Sequence, residues 1–437
     1  MRILLVAPRA REANATPPWF RIPLMSLLVL EELSGDGHHV VIIDEDWDSL
    51  PLAEKWDLVG ITVMTATARR AYALAKMFRE RGARVILGGI HPSVLPEEAS
   101  QHADAVLVGE AEAIWRSILE DAERGVLQRV YSSPRPETVD IPLVNYKSRV
   151  MSRAPTITPV VASRGCPNGC EFCSVPGIYG KRPRHVPVWQ VVEQVKRSRG
   201  DYVAFLDDNL GATREYALEL FAALRSLKVR IIAQVAVRFI LDDELFEMAL
   251  AAGLKGIFVG FETIEEESCA RLTKLLPNQE CGIAIQRCNT AGVMLHGSFI
   301  FGLDDHDKTI FPRTLDFVMR HKIFSVGANV LTPYPGTPLF ARMVKEGRLL
   351  HRNWAFYDKT TPVFQPARMT VQDLAEGYTK FRVSLVSLKG IARRLTAGMS
   401  ANLYAYLNIA AAFRQTNEEL KEHYKNYFRW LQGLEGY

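Results

Sequence analysis

Three cysteines, Cys166, Cys170 and Cys173, lie within SRGCPNGCEFCSVP (163–176) and are the residues here best placed to do chemistry. Their C-x3-C-x2-C spacing gathers half of the chain's six cysteines into one loop. Three thiolates this close can hold three irons of a [4Fe-4S] cube and leave the fourth iron open, and an open iron is a reaction site. Disulfides and a zinc site are the alternatives. Disulfides suit a secreted chain, but Met1 leads directly into RILLVAP, which has no cleavage pattern and reads as a strand. A zinc knuckle wants a second close Cys or His pair, whereas Cys269, Cys281 and Cys288 lie far downstream at spacings that suit helix packing.

The chain of 437 residues is long enough for two or three domains, and 48% hydrophobic with 23% charged residues is ordinary for a globular protein. A net charge of +4, dispersed along the chain, gives no footprint for nucleic acid. No run reaches the roughly 18 to 20 apolar residues a membrane helix needs, so the expectation is a soluble, cytoplasmic protein with reduced thiols and no membrane span.

Before the cysteine loop, apolar runs alternate with helical stretches, as in a parallel sheet covered on both faces. Strands are expected at 2–8, 39–46, 58–64, 83–92 and in the run beginning at 103, with helices at 24–37 and 67–82 and a helix closing the segment to 125. This predicts a doubly wound open sheet over 1–130. Ligands of such sheets sit at the carboxyl ends of the strands. Here those ends hold Ala7–Arg9, Thr62 to Thr65, Gly88, Gly89 and His91, and Gly109 with Glu110. Tight turns are the competing explanation for the glycines. No G-x-G-x-x-G follows the first strand, so a nicotinamide or flavin site is unsupported. A proline-rich linker is expected over 131–158, including Pro134, Pro136, Pro142 and Pro155.

After the linker, strands at 159–165, 201–211, 229–238, 254–263, 296–305 and 324–338 alternate with helices, predicting a partial (β/α)6 barrel over 159–340 with its reactive face at the carboxyl ends. The polar residues at those ends stand out, because doubly buried strands should be apolar. Asp207, Asp208 and Asn209 follow YVAFL, and Glu262 follows GIFVGF. Gln234 and Arg238 lie on the third strand, where Arg238 offers a two-pronged match to a carboxylate or serves as an internal ion-pair partner. Pro333-Tyr334-Pro335-Gly336-Thr337-Pro338 makes a stiff end to the sixth strand, with Tyr334 a candidate catalytic hydrogen donor or substrate contact. His296 and His306 are weaker candidates for substrate contact. Residues 341–437 read as a helical region packing on the barrel, with Thr370 and Asp373 as a start signal and breaks after Leu395 and Leu420. Its basic run Lys389–Arg394 suits a solvated face better than a membrane surface.

RIPLMSLLVLEELSGDGHHV (21–40), LGGIHPSVLPEEA (87–99) and ADAVLVGEAE (103–112), followed by the cysteine loop, resemble the cobalamin-binding domain and catalytic barrel of a large class of radical SAM enzymes. The resemblance runs to about residue 370 and itself implies the partial barrel. Two features depart from it. Pro23-Leu24-Met25-Ser26 replaces a Pro-Leu-Gly-Leu turn and would narrow the pocket, and the D-x-H-x-x-G motif that ligates cobalt elsewhere is missing, as is common in this class. The resemblance implies cobalamin contacts at Thr62, Thr65, Gly88, Gly89, His91, Gly109 and Glu110. It places Asp207, Asp208 and Asn209 at the SAM amino group, Glu262 near the ribose and Phe172 against the adenine, with core packing the alternative for Phe172. Gln234 and Arg238 would meet the SAM carboxylate.

The expected enzyme chelates SAM on the open iron and cleaves it with one electron from an external donor such as flavodoxin or ferredoxin. Its expected reaction is cobalamin-dependent methyl transfer to a carbon or phosphorus of a small-molecule substrate. Two alternatives stay open: a rearrangement, cyclisation or 3-amino-3-carboxypropyl transfer without cobalamin, and a non-catalytic iron–sulfur module, against which the strand-end carboxylates argue.

Overall fold

A computed structural model describes residues 1–9, 22–133, 135–139, 141–146, 157–198, 200, 202–271, 276–394 and 403–433. Pro134 and Pro155 of the expected linker, and the side chains of Cys269, Tyr404, Tyr406 and Phe413, lie outside the described part.

The early apolar runs form β1 (Arg2–Ala7), β2 (His39–Asp44), β3 (Leu58–Thr62), β4 (Arg84–Gly88) and β5 (Ala105–Val108). A sixth strand, β6 (Val130–Ser132), completes a parallel sheet in the order β2-β1-β3-β4-β5-β6. β6 straddles the boundary at which the linker was expected to begin. Three residues are too few to show a period, and only pairing with β5, Leu107 opposite Tyr131, makes them a strand. Along β1, Ile3, Leu5 and Ala7 enter one core with the helices Met25–Ser34 and Trp115–Arg124, while Leu4 and Val6 enter a second with the helix Ala68–Glu80. Burial on both faces is why the strand is apolar throughout.

The second half contributes β7 (Ile157–Val160), a two-stranded hairpin of β8 (Ser163–Arg164) and β9 (Arg184–His185), then β10 (Tyr202–Phe205), β11 (Arg230–Val235), β12 (Leu254–Glu262), β13 (Met294–Phe301) and β14 (Ser325–Val330). Apart from the hairpin, these strands are parallel in the order β14-β13-β12-β11-β10-β7, the strand sequence of a partial barrel. β11 stops at Val235, and Arg238 therefore belongs to a short helix, Val237–Leu241, and not to the strand.

The last third departs most from expectation. Thr370 and Asp373 do cap a helix reciprocally, over Val371–Leu385, and a second helix covers Leu388–Arg394. Residues Leu403–Leu431 then form one helix, because no glycine or proline near Leu420 stops it. Nor does the region pack on the barrel alone: Trp354, Phe356, Tyr357 and Tyr427 join the second core with β1 and β3, and the Trp354 indole donates to Glu98 at 2.8 Å. Arg394 is buried and donates to the carbonyls of Leu385 and Gly390, so it belongs to the interior. No helix among the described residues is long and apolar enough to cross a membrane.

Candidate active site

The cysteines sit on the arc of the β8–β9 hairpin. Gly165 opens the arc at φ +95°, and a Cβ there would lie 2.9 Å from the Arg182 carbonyl and 3.0 Å from that of Gly180, so only glycine fits. Cys166 N–H donates to the Gly180 carbonyl at 3.3 Å and Cys173 N–H to that of Cys170 at 3.1 Å. Cys170 is buried while Cys166 and Cys173 are half-buried, and none is in a disulfide. Among the described residues no three His, Cys, Asp or Glu side chains are grouped as a single ion would require. Thiolates spread along one loop suit the separated corners of an iron–sulfur cube, so this donor set fits the cluster.

The polar end of β10 fastens that loop. Asp207 accepts from Ser163 Oγ at 2.5 Å and from Ala162 N–H at 3.1 Å, and Asp208 accepts from Gly165 N–H at 2.9 Å. Asn209 Oδ1 accepts from Ala236 N–H, tying in the end of β11, and Gln234 Nε2 donates to the Asp208 carbonyl at 3.1 Å. Burial pushes the Asp207 carboxyl up to about 7, against its two donors, and raises Asp208 as well. Asp207 therefore faces the loop backbone and helps position the cysteines.

Two ion-pair systems brace the loop from opposite sides. On one, Glu171 accepts from Arg342 at 2.8 Å, and Arg342 continues to Asp304 at 2.7 Å. On the other, Arg164 donates to Glu110 at 2.7 Å and to Glu112 at 2.5 Å, and Arg184 also pairs with Glu110. Burial would raise the Glu110 carboxyl, but hydrogen bonds and charge from Arg184 and Arg164 outweigh it and hold it below the usual range. No pattern in the sequence joins residues more than fifty positions apart, so Arg164, Arg184 and Glu112 were not legible as site residues.

Glu110 also lies on the rim of a cavity of about 260 Å³ at the carboxyl ends of β1, β3, β4 and β5. Thr62, Gly88, Gly89 and Gly109 line it with the apolar Leu27, Ile61, Leu107 and Trp115, and Arg164 and Tyr179 reach it from the hairpin. A Cβ on Gly89, at φ +105°, would lie 2.9 Å from the Val63 backbone. Leu24 and Ser26 of the bulkier turn also line the cavity, and Met25 is buried behind them. A cleft at a switch point, smoothed by glycine and walled by apolar side chains, fits the flat ring system or tail of a corrinoid. Thr65 and His91 are not on its walls. The His91 ring is fully buried against the Tyr72 hydroxyl at 3.0 Å and Thr65 Oγ1 at 3.4 Å, on the side facing Trp354.

On the barrel, Leu295 and Phe299 of β13 enter the core, and the alternate residues reach across the other face. His296 Nδ1 meets Ser325 Oγ at 3.0 Å, its ring lies 4.9 Å from that of Phe258, and Asn329 donates to Ser298 Oγ at 3.0 Å. Burial lowers the His296 imidazole to about 4, so it is neutral at pH 7. His306 is structural: its ring accepts from Gly302 N–H and pairs with Thr263 Oγ1 at 2.9 Å. Glu262 is buried at the end of β12 with φ 63°, beside a register shift, a backbone state rare outside glycine. Arg238 is exposed and pairs with no carboxylate among the described residues, which removes the internal ion-pair alternative. Phe172 is half-buried against the core. Tyr334 packs on the second core, and Gly336, whose Cβ would lie 2.7 Å from Val94, brings this turn against the N-terminal sheet's helix. The turn that carries Tyr334 thus docks against the N-terminal sheet.

The sequence matches the family models for the B12 binding domain over residues 20–119 and the radical SAM superfamily over 160–318. It is 29% identical over 408 residues to the bacteriochlorophyllide d C-12(1)-methyltransferase of Chlorobaculum tepidum, covering 90% of this chain and 89% of the relative. Two solved structures share the fold. The radical S-adenosylmethionine methyltransferase TsrM from Kitasatospora setae, with cobalamin and a [4Fe-4S] cluster bound, has a TM-score of 0.65 at 16% identity, over 79% of this chain and 78% of that one. The cobalamin-dependent S-adenosylmethionine radical enzyme OxsB, with aqua-cobalamin and S-adenosylmethionine bound, has a TM-score of 0.67 at 14% identity, over 98% and 75%. The non-catalytic and cobalamin-free alternatives are thereby set aside. With matches to a B12 binding domain and a radical SAM domain that meet across the Arg164 clamp, the chain is a radical SAM enzyme, similar to cobalamin-dependent methyltransferases, whose cofactors are a [4Fe-4S] cluster, SAM and cobalamin.

Proposed function

We propose that this enzyme methylates an unactivated carbon of a small molecule with an extended apolar skeleton. The observation that carries the reading is the shared wall: Arg164, two residues before Cys166, is paired to Glu110 and Glu112 on the rim of the B12-type cavity. When bound, cluster and SAM supply radical chemistry and cobalamin supplies a transferable methyl group.

The chain's residues bind and orient. Cys166, Cys170 and Cys173 hold the cluster, and Asp207, Asp208 and Asn209 hold their loop. Arg238, exposed past the end of β11, presents two N–H groups to the SAM carboxylate, with Gln234 beside it. Glu262 meets the ribose and Phe172 the adenine. Thr62, Gly88, Gly89 and Gly109 let the corrinoid approach the backbone. For the substrate, half-buried Phe258 and exposed Leu206 offer apolar contact, and His296, Ser298 and Asn329 offer neutral hydrogen bonds. Such a wall suits an apolar skeleton with few neutral polar groups, in keeping with the similarity to a bacteriochlorophyllide methyltransferase.

The test is anaerobic reconstitution with cobalamin, followed by iron, sulfide and cobalt analysis and assay of SAM products with apolar acceptors. Stoichiometric cobalt with both S-adenosylhomocysteine and 5′-deoxyadenosine is expected. Methylthioadenosine without cobalt would refute methyl transfer.

A further inference from the structure

The arginines around the cysteine loop divide into two kinds. Arg164, Arg184 and Arg342 are spent on carboxylates. Arg135, Lys181 and Arg182 are exposed, and none pairs with a carboxylate among the described residues. All three lie against the loop. Lys181 Nζ is 3.9 Å from the position a Cβ on Gly169 would take, between Cys166 and Cys170. The Arg182 carbonyl packs under Gly165, and Arg135 donates to the carbonyls of Gly177 and Ile178 at 3.0 Å each. Three cations without a carboxylate partner among the described residues thus belong to the segments in contact with the loop that carries the three thiolates. A cationic patch steers and orients an anionic partner, and it does so most strongly at low salt.

We propose that Arg135, Lys181 and Arg182 form the docking surface for an acidic one-electron carrier protein of the flavodoxin or ferredoxin type. This rests on the reading that the three cysteines hold a [4Fe-4S] cluster. In the step it serves, the carrier loses one electron, a flavin hydroquinone becoming a semiquinone, and the oxidised cluster gains it, with no atom transferred.

The experiment compares wild type with the double variant K181E/R182E, leaving Arg135 in place because it also holds loop carbonyls. Binding of oxidised flavodoxin is followed by calorimetry, and oxidation of flavodoxin hydroquinone by stopped-flow absorbance, with dithionite as the small-molecule reductant in parallel. The expected result is binding and reduction weakened about tenfold or more at low salt, the difference shrinking as the ionic strength approaches roughly 0.5 M, and unchanged reduction by dithionite. Equal flavodoxin binding by variant and wild type would overturn the inference. So would loss of dithionite reduction together with loss of iron, which would make the two residues loop supports. Failure of the underlying cluster assignment is distinguishable, because wild type would then lack iron–sulfur absorbance before any donor was added.

Discussion

The described residues form two six-stranded parallel sheets that use their strand ends in opposite ways. The N-terminal sheet reverses direction at β1, which lies between β2 and β3, and the reversal leaves a crevice. Its strand ends are glycines and apolar residues, so the site is shaped largely by missing side chains. The barrel sheet advances from β7 through β10 to β14 without reversal, and its ends carry carboxylates and amides. Those side chains hold a neighbouring loop in place, as Asp207 holds Ala162 and Ser163. One sheet binds by shape and the other by hydrogen bonds, and the Arg164 clamp joins them. Damage should therefore be separable.

Cys170→Ala gives the largest effect: cluster iron and all SAM cleavage should be lost while cobalamin binding persists. Cleavage that survives would refute the assignment of the loop. Glu110→Ala attacks the junction. It leaves Arg184 buried without its carboxylate and Arg164 with Glu112 alone, and should cost about 3–5 kcal/mol in chemical unfolding. If the sheets instead behave independently, stability will barely change and the clamp is decorative.

Acid should unsettle the barrel next. His296 and His306 have folded values near 4 against 6.5 unfolded, so below about pH 6.5 the unfolded chain takes up protons that the native state refuses. Stability from each is full above 6.5 and is lost as pH falls toward 4, by about 2–3 kcal/mol per histidine. Asp207, raised to about 7, acts in the opposite direction, losing its contribution as pH rises toward 7. Comparing His296→Asn with wild type cancels that term, and the variant's unfolding midpoint should fall less steeply between pH 6.5 and 4.

Gly89→Ala tests the N-terminal sheet alone. The added methyl meets the Val63 backbone in a left-handed conformation, at a cost of about 1–3 kcal/mol. Cobalamin affinity by absorbance titration should drop while the iron content stays at the wild-type level, and an equal loss of both would erase the distinction between the sheets. The smallest change expected is in Arg238→Lys, which keeps the charge and loses the fork. The KM for SAM should rise about 3- to 10-fold with kcat nearly intact.

Much of this was legible in the residues themselves. Continuous apolar runs such as RILLVA announce parallel strands, and the cysteine spacing announces the cluster, because both are local patterns with a fixed geometric meaning. Asp207 to Asn209 stood out for the same reason, as polar residues where apolar ones belong. Their partners did not stand out. Glu110 reads as one more strand-end residue until Arg164 and Arg184 arrive from another domain. His91 follows a glycine pair that does line the cavity, yet the first turn of its helix rotates the ring to the opposite side. Tyr334 lies in a turn that any barrel could carry, and only the close approach of Gly336 to Val94 shows what the turn packs against.

The sequence by itself therefore determined the two parallel folds, their order and the cysteine loop proposed to hold the cluster, since these depend on short-range periodicity and spacing. The tertiary structure alone decided how the halves face one another, which charged residues are spent on holding the cysteine loop, and which cations around it pair with no carboxylate among the described residues. Those outcomes depend on contacts between residues distant in the chain, and no local pattern encodes a partner that folding has yet to bring near.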